Sequence, residues 1–198
     1  MFSQIRPAIV MIVLFTLLTG IAYPLLVAGL ARVALRPQAD GSLLARDGEI
    51  VGSALIGQNF TSDKYFHGRP SATAAPDPTD AGKTVEAPYN AANSGGSNLG
   101  PTSQKLVDRV KAGVAALGGG PHRPVPADAV TTSASGLDPH ISPQYALWQV
   151  GRVAAARGLK EESVRRLVTR RVETPFLGVF GEPRVNVLTL NLNLDRGA

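Results

Sequence analysis

The sequence predicts an α+β protein in which a single N-terminal transmembrane helix is followed by one soluble α+β domain. Residues 7–31 contain no charged side chain. Beyond them, apolar residues recur at helical spacing in three segments and alternate with polar residues near the C terminus, which are the periods of helices and of a strand. We therefore divide the chain into a short tail at 1–6, a transmembrane helix at 7–31, a linker at 32–48 and a soluble domain at 49–198.

The transmembrane prediction depends on the length of the uncharged run. Its 25 residues, at about 1.5 Å of rise each, exceed a hydrocarbon core of roughly 30 Å. A cleaved signal peptide is the alternative, since Arg6 precedes the run and small residues surround Leu30. The apolar part of a signal peptide is only about 7–15 residues long, so an uncleaved anchor is favoured.

The composition of the run also limits the part that this helix can play in transport. It holds no Asp, Glu, Lys, Arg or His, the residues that mark ion and proton routes inside membranes. If the protein takes part in transport, other chains must supply the pathway. Pro24 predicts a kink, while Thr16, Thr19 and Gly20 place small residues within one turn, which suits packing against a partner's membrane helix.

Charge and composition argue against several kinds of partner and site. The chain has 20 basic and 15 acidic residues, but Arg6, Arg32 and Arg36 flank the apolar run, so the soluble part is nearly balanced. Such a balance argues against a nucleic-acid partner. For the anchor itself, the expected contact is membrane lipid. The absence of cysteine excludes disulfides and thiolate sites. The distribution of Lys and Arg around the helix mildly favours a cytoplasmic soluble domain.

The soluble domain begins with a predicted strand or strand pair at 49–60, with glycine bends. Residues 61–101 are rich in Pro, Gly, Asn and Ser but include aromatic residues, and we interpret them as a long, ordered loop. Capping residues and terminal glycines then predict three helices. These run from a cap at Thr102 or Ser103 to Gly118, from Ser142 to Gly158, and from Lys160 to Val172. A final strand is predicted at 184–195, with a bulge near Val187.

Enzymatic motifs are weak. Gly82-Lys83-Thr84 matches the end of a phosphate-binding loop, but the first required glycine is replaced by Asp77 and no strand precedes it. The Asp-Lys-Thr-Gly-Thr string of a P-type ATPase is absent. The three histidines are far apart in sequence, so a shared metal is not expected. An arginine cluster on the third helix predicts either a solvated or lipid-facing surface or a contact with an acidic partner subunit: Arg165, Arg166, Arg170 and Arg171.

Five strings occur in a characteristic order behind the anchor. They are GSALIGQNF at 52–60, YFHGRPSA at 65–72, YNAANSGGSNLGPTS at 89–103, VTTSASGLDPHISP at 130–143 and GEPRVNVLTLNLNLD at 181–195. This combination resembles the C subunit of the bacterial Kdp potassium-transporting ATPase over essentially the whole chain. The sequence departs from the family pattern around 170–176, and its insert near 77–83 is longer than usual.

The resemblance implies a non-catalytic accessory subunit in the bacterial inner membrane. In that family the A subunit carries the potassium pathway, the B subunit is the P-type ATPase, and a very small F subunit accompanies them. ATP and potassium would then act on the complex, and this chain would bind no cofactor of its own. The family topology places the soluble domain outside the cytoplasm, against the weak charge distribution, and we follow the family.

Two functions remain open under this resemblance. One is a structural subunit that assembles and stabilises the pore and ATPase subunits. The other is a catalytic chaperone that raises the affinity of the ATPase subunit for ATP in a transient ternary complex. The nucleotide contacts that the resemblance implies for the chaperone are Ser133, Ser135, Gly136, Leu137, Asp138 and a glutamine, either Gln144 or Gln149. A simpler interpretation of 136–139 is a turn that positions the second helix.

Overall fold

The computed structural model describes residues 2–80 and 82–197, and it confirms the α+β class. Met1 of the predicted tail, Ala81 of the predicted loop and Ala198 of the predicted soluble domain lie outside the described residues. The chain forms two compact units, residues 1–53 and 54–198, and each is described by itself.

The first unit begins with a long apolar helix. A 3₁₀ turn at Phe2–Gln4 leads into α1 (Ile5–Leu17), a π-helical segment (Leu18–Ala22) and α2 (Tyr23–Ala34). Together they form a 33-residue helix, Phe2–Ala34, with a mean hydropathy of 2.4. Within the described residues this is the one helix long and apolar enough to cross a membrane, and it includes the predicted span 7–31.

The π-helical segment has a clear cause in the sequence. Pro24 has no N–H and its ring collides with the carbonyl four residues earlier in a regular helix. The backbone widens just before it, so that Tyr23 N–H donates to the Leu18 carbonyl, five residues back. Thr19 Oγ1 donates to the Phe15 carbonyl at 2.6 Å, which satisfies a further carbonyl near the irregularity. The predicted disturbance at Pro24 therefore takes the form of a π-bulge within a continuous helix.

The segment predicted as a linker contains regular structure. A helical turn, α3 (Arg36–Ala39), is followed by an antiparallel hairpin of β1 (Leu43–Arg46) and β2 (Glu49–Ser53). The two-residue turn is Asp47-Gly48, with φ of 53° and 86°, as a type I′ turn requires. The strand prediction for 49–60 was thus wrong beyond Ser53, and the partner of β2 precedes it in the chain.

The described part of the second unit combines four α-helices and a 3₁₀ turn (Ala127–Ala129) with two small antiparallel sheets. A hairpin pairs β3 with β4, and a three-stranded sheet has the order β5-β7-β6. The elements are β3 (Ala74–Pro76), β4 (Thr84–Glu86), α4 (Gln104–Ala116), β5 (His140–Ile141), α5 (Pro143–Arg157), α6 (Glu161–Arg170), β6 (Val172–Glu173), β7 (Arg184–Asn186) and α7 (Val187–Asp195).

The three predicted helices are confirmed as α4, α5 and α6, with ends within a few residues of the predictions. Ser142 caps α5, since its Oγ accepts from Tyr145 N at 3.0 Å, and Asp128 in turn accepts from Ser142 N and Oγ at 2.6 and 2.9 Å. Gly158 ends α5 in the left-handed conformation, at φ 66°.

The core lies between α5, α6, α7 and the central strand β7. Apolar residues at helical spacing on each helix meet there, and burial of such side chains is the main favourable term in folding. The fully buried members are Phe66, Ala146, Val150, Val153, Val164, Val168, Val185 and Leu190.

The predicted C-terminal strand was wrong for most of its length. Only Arg184–Asn186 is extended, and 187–195 form α7. Asn186 caps this helix, because its Oδ1 accepts from Thr189 N at 3.1 Å. The alternation of leucine and polar residues suggested a strand, but Val187, Leu190, Asn191 and Leu194 also recur at helical spacing, and these four residues are buried.

Candidate functional site

The turn at 133–139 is the segment to which the resemblance assigns nucleotide contacts. Ser133 and Gly136 are buried, Ser135 is exposed, and Leu137 and Asp138 are intermediate. The turn lies between α4 and α5 in the chain and is reached from three other parts of the second unit. Its geometry therefore decides whether these residues are available to a ligand.

Four of the backbone carbonyls in this turn accept hydrogen bonds from distant segments. Because each bond joins the turn to another sequence motif, the turn ties the long 61–101 segment, the 54–60 segment and α7 together. The bonds are Gly95 N to Ser135 O (2.9 Å), Ser94 Oγ to Ser135 O (3.0 Å), Ser71 Oγ to Gly136 O (2.8 Å), Gly57 N to Leu137 O (2.8 Å) and Val187 N to Pro139 O (2.9 Å).

Gly136 is required at the centre of the turn for two reasons. Its φ of 68° is in the left-handed region, where a side chain adds strain. A Cβ there would also overlap Thr73 Cγ2 and lie 2.7 Å from the carbonyl oxygen of Gly95. The glycine therefore permits close approach of protein backbone, and the space next to it is filled by the chain itself.

Tyr89 joins three of the five sequence motifs. A Cβ at Gly57 or at Gly68 would overlap its side chain, so the two glycines form the slot in which the ring lies. The hydroxyl donates to the Arg69 carbonyl at 2.7 Å. Burial and the nearby negative charge of Asp138 raise the pKa of Tyr89 to about 12, which keeps the phenol protonated as a donor.

Asp138 is the charged member of the turn. Its Oδ1 accepts from His140 N at 2.9 Å and lies 3.4 Å from His140 Nδ1, and its Oδ2 lies 3.5 Å from Arg69 Nη1. Burial acts to raise the pKa of Asp138, but the hydrogen bonds and charges of His140 and Arg69 outweigh it and leave the pKa below its ordinary value. The carboxylate is thus committed to neighbours on its own chain.

The segment 63–67, which overlaps the YFHGRPSA motif, is held by side chains instead of by a partner strand. Five consecutive backbone carbonyls each accept a hydrogen bond from α5 or α7. The donors are Arg152 Nη1 to Asp63 O (2.9 Å), Arg157 Nε to Lys64 O (2.6 Å), Arg152 Nη2 to Tyr65 O (3.1 Å), Asn191 Nδ2 to Phe66 O (3.0 Å) and Gln149 Nε2 to His67 O (3.1 Å). We call this arrangement the side-chain clamp.

Two amides in the clamp bind both backbone groups of one residue. Asn191 Oδ1 accepts from Phe66 N at 2.9 Å and Gln149 Oε1 accepts from His67 N at 2.8 Å. Phe66 is fully buried and Asn191 is 2% exposed. The pair satisfies backbone groups that an extended chain would otherwise bury unpaired, a costly arrangement.

Gln149 is one of the two glutamines that the resemblance offers as a nucleotide contact. The residue is 4% exposed, and its oxygen also accepts from Arg152 Nη2 at 2.7 Å. Burial also lowers the pKa of the neighbouring His67, against a smaller opposing effect of its contact with Ser62. Gln144, the other predicted glutamine, is exposed on the first turn of α5.

Two cavities divide most of the predicted nucleotide contacts between them. Ser133, Ser135, Leu137 and Asp138 line an open depression of 620 Å³ beside Leu55 and Ile56. A separate cavity of 480 Å³ lies between α5, α6 and the end of α4, and is lined by residues that include Gln149, Trp148, Arg123 and Arg165. The Arg123 guanidinium lies 4.3 Å from the centre of the Trp148 ring.

The predicted partner-facing residues lie on surfaces of their units. Arg165, Arg166 and Arg170 are exposed on α6, while Arg171 follows it and donates to Asn193 Oδ1 at 2.6 Å. Thr16, Thr19 and Gly20 are exposed on the apolar helix. A Cβ at Gly20 would meet nothing within 4 Å.

Sequence reasoning missed the clamp: of its side chains it named only Gln149, and as a nucleotide contact. A buried Asn191 on the apolar face of a helix is a recognisable signal, since a buried amide needs partners. Interpreting 187–195 as a strand hid this signal, because it placed Asn191 on a polar face. Arg152 and Arg157 on α5 offered no such signal, since arginine usually lies on the surface.

Comparison with known proteins agrees with the sequence motifs. The family described as "K+-transporting ATPase, c chain" matches residues 5–196. A potassium-transporting ATPase KdpC subunit of Rhodopseudomonas palustris (strain TIE-1) is 61% identical over 100% of this chain and 99% of its own length. The KdpC subunit of Bradyrhizobium diazoefficiens gives the same values, and that of Methylobacterium nodulans is 63% identical over 98% of both chains. The chain belongs to the KdpC family of potassium-transporting ATPase subunits.

Proposed function

We propose that this chain is a non-catalytic accessory subunit of an ATP-driven potassium uptake pump, where it assembles and stabilises the complex of a pore subunit and a P-type ATPase subunit. The observation that carries this proposal is that the motif residues form bonds within the fold. ATP and potassium act on the complex, and this chain needs no cofactor of its own.

The side-chain clamp supports assembly over nucleotide binding. Both amide atoms of Gln149 already bind His67, so this amide would have to abandon the backbone before it could contact an adenine edge. In the turn, Asp138 and the carbonyls are engaged in the same way. A rigid domain of this kind suits a subunit that presents fixed surfaces to its neighbours.

Two surfaces are proposed to meet the other subunits. Thr16, Thr19 and Gly20 permit close packing of a partner's membrane helix. The α6 arginines Arg165, Arg166 and Arg170, with Arg171, suit an acidic surface on a partner. The apolar helix anchors the chain in the bacterial inner membrane, and the second unit lies on the extracytoplasmic side.

The alternative function is the catalytic chaperone. One observation favours it: the 480 Å³ cavity at Gln149 combines an indole, Trp148, with the guanidinium groups of Arg123 and Arg165, groups that bind purines and phosphates. An extracytoplasmic domain cannot reach cytosolic ATP, however. Protease accessibility in sealed vesicles of known orientation therefore discriminates between the two functions.

Substitutions that leave the clamp intact provide a second test. If ATP is contacted directly, Gln144→Ala or Ser135→Ala should raise the apparent KM of the assembled complex for ATP about two- to twelvefold, the effect of about 0.5–1.5 kcal/mol. We expect an unchanged KM. A several-fold increase with normal assembly would contradict the proposal.

The arginine surface can be tested by charge reversal. The double variant Arg165→Glu/Arg166→Glu should lower the yield of intact complex, because it replaces attraction to an acidic partner with repulsion. The matched control is Lys105→Glu/Lys111→Glu, which reverses two exposed charges on α4. An equal loss of complex in both variants would show that net charge, and not this surface, is responsible.

A further inference from the structure

The connection between β6 and β7 is a loop with an unusual apolar tip. We call residues 174–183 the apolar loop. Residues 174–181 carry no charge, and four large apolar side chains are exposed to 67–75%: Phe176, Leu177, Val179 and Phe180. Among the described residues of the second unit these are the most exposed large apolar side chains. Exposure of such a group on a soluble surface indicates an interaction site.

The apolar loop is organised by its own backbone. Phe176 N donates to Phe180 O at 3.1 Å, Phe180 N donates back to Phe176 O at 3.0 Å, and Gly178 N donates to Pro175 O at 2.9 Å. Leu177 and Gly178 adopt φ of 53° and 75°, which makes a tight reversal of the chain. The four side chains are therefore presented on an ordered tip, so little conformational entropy is lost when the tip is buried.

The base of the loop is fixed to the core. Glu173 pairs with Arg184 across β6 and β7, with 3.0 Å between Oε2 and Nε, and Val185 is fully buried. The tip therefore projects from the end of the β6–β7 hairpin. Glu182, next to the last residue of the loop, is its one charged residue.

We propose that the apolar loop inserts into the interfacial region of the lipid bilayer. An exposed tip of aromatic and aliphatic residues fits this environment, where apolar groups enter the acyl boundary. The same chain carries a helix suited to span a membrane, so the second unit is tethered at a bilayer and encounters it at high effective concentration. An apolar groove on a protein partner is the competing occupant. This inference does not depend on the proposed assembly function.

The absence of cysteine allows a site-specific test. Val179→Cys is labelled with the fluorophore NBD in the full-length chain, reconstituted without other subunits into liposomes of phosphatidylethanolamine and phosphatidylglycerol. Quenching by lipids with a doxyl group near the headgroup is then compared with quenching by aqueous iodide. The matched control is Val85→Cys, an exposed position on β4 in the other hairpin of the same unit.

Insertion predicts that the label at position 179 is quenched several-fold more by doxyl lipid than the label at 85, and less by iodide. Adding Phe176→Ser and Phe180→Ser should remove this difference while the circular dichroism spectrum is unchanged. Equal lipid quenching at the two positions would overturn the proposal. So would protection of position 179 that appears only when the other pump subunits are added, since that result indicates a protein groove.

Discussion

The side-chain clamp and the apolar loop use their side chains in opposite ways. In the clamp, polar side chains of α5 and α7 turn inward and bind the backbone of 63–67. In the apolar loop, the backbone is satisfied locally and large apolar side chains turn outward. Groups that are engaged inside the protein stabilise it, whereas groups left unburied are available to other molecules.

This comparison changes how the sequence motifs are interpreted. The glycines, Tyr89 and Asp138, which make the strings recognisable, contact one another or the chain beside them. Gln149, which follows the fourth string, likewise binds the backbone of His67. We infer that these motifs maintain the fold, and that the contacts with other molecules lie on surfaces such as α6 and the apolar loop. Each prediction below tests one side of this division.

The largest expected effect is at Gly136. Gly136→Ala combines left-handed strain with overlap on the Gly95 carbonyl and Thr73, and should lower the free energy of unfolding by about 2–6 kcal/mol. Urea unfolding of the full chain in detergent, followed by the fluorescence of its single tryptophan, Trp148, measures this loss.

A glycine with the same backbone conformation provides the control. Gly118 has φ 64°, and a Cβ there would meet nothing within 4 Å. Gly118→Ala should therefore show the strain alone, about 1–2 kcal/mol. Equal losses for the two variants would mean that close packing around the 133–139 turn contributes nothing.

The next effect is at Asn191. Asn191→Ala leaves the N–H and carbonyl of the fully buried Phe66 without their partners, which should lower the free energy of unfolding by about 2–5 kcal/mol. Asn193→Ala is a control on the same helix, because Asn193 is only partly buried and contacts the exposed Arg171. A loss below about 1 kcal/mol at Asn191 would contradict the clamp.

A smaller effect concerns alkaline pH. The folded pKa of Tyr89 is about 12 against an unfolded value near 10, so the unfolded state loses this proton first. Tyr89 contributes about 2–3 kcal/mol to the free energy of unfolding below pH 10, and this contribution is lost as the pH rises toward 12. Tyr89→Phe should therefore be less sensitive than the wild type in urea titrations over this range. If the free energy of unfolding fell with pH equally in the wild type and in Tyr89→Phe, the phenol would not be held in its protonated form.

Three helices of the second unit, α4, α5 and α6, were predictable because their signals are local. Ser142 with Pro143 at the start of α5 and Gly158 at its end specify that helix from neighbouring residues alone. The first hairpin was equally accessible, since Asp47-Gly48 is a strong signal for a two-residue turn, but a linker was assigned to β1 and the turn, and only β2 was predicted as a strand.

The C-terminal helix and the clamp were not predictable to the same degree. Leucine alternation at 188–194 fits a strand as well as a helix, and the choice depends on the burial of Asn191 against Phe66, a contact across 125 residues. Gln149 was placed correctly on α5, but its burial depends on the 63–67 segment that packs against it. Local sequence does not specify such long-range partners.

The measurement that tests the account most directly compares two glutamines of α5. Gln149→Ala should lower the free energy of unfolding by about 1–3 kcal/mol, because it leaves the backbone of His67 without its partners. Gln144→Ala, at an exposed position, should change it by less than about 0.5 kcal/mol. Neither substitution should alter the KM for ATP of complexes that assemble. A Gln149→Ala variant of unchanged stability whose complex shows a several-fold higher KM would contradict the structural role of Gln149 in the clamp and support direct nucleotide contact.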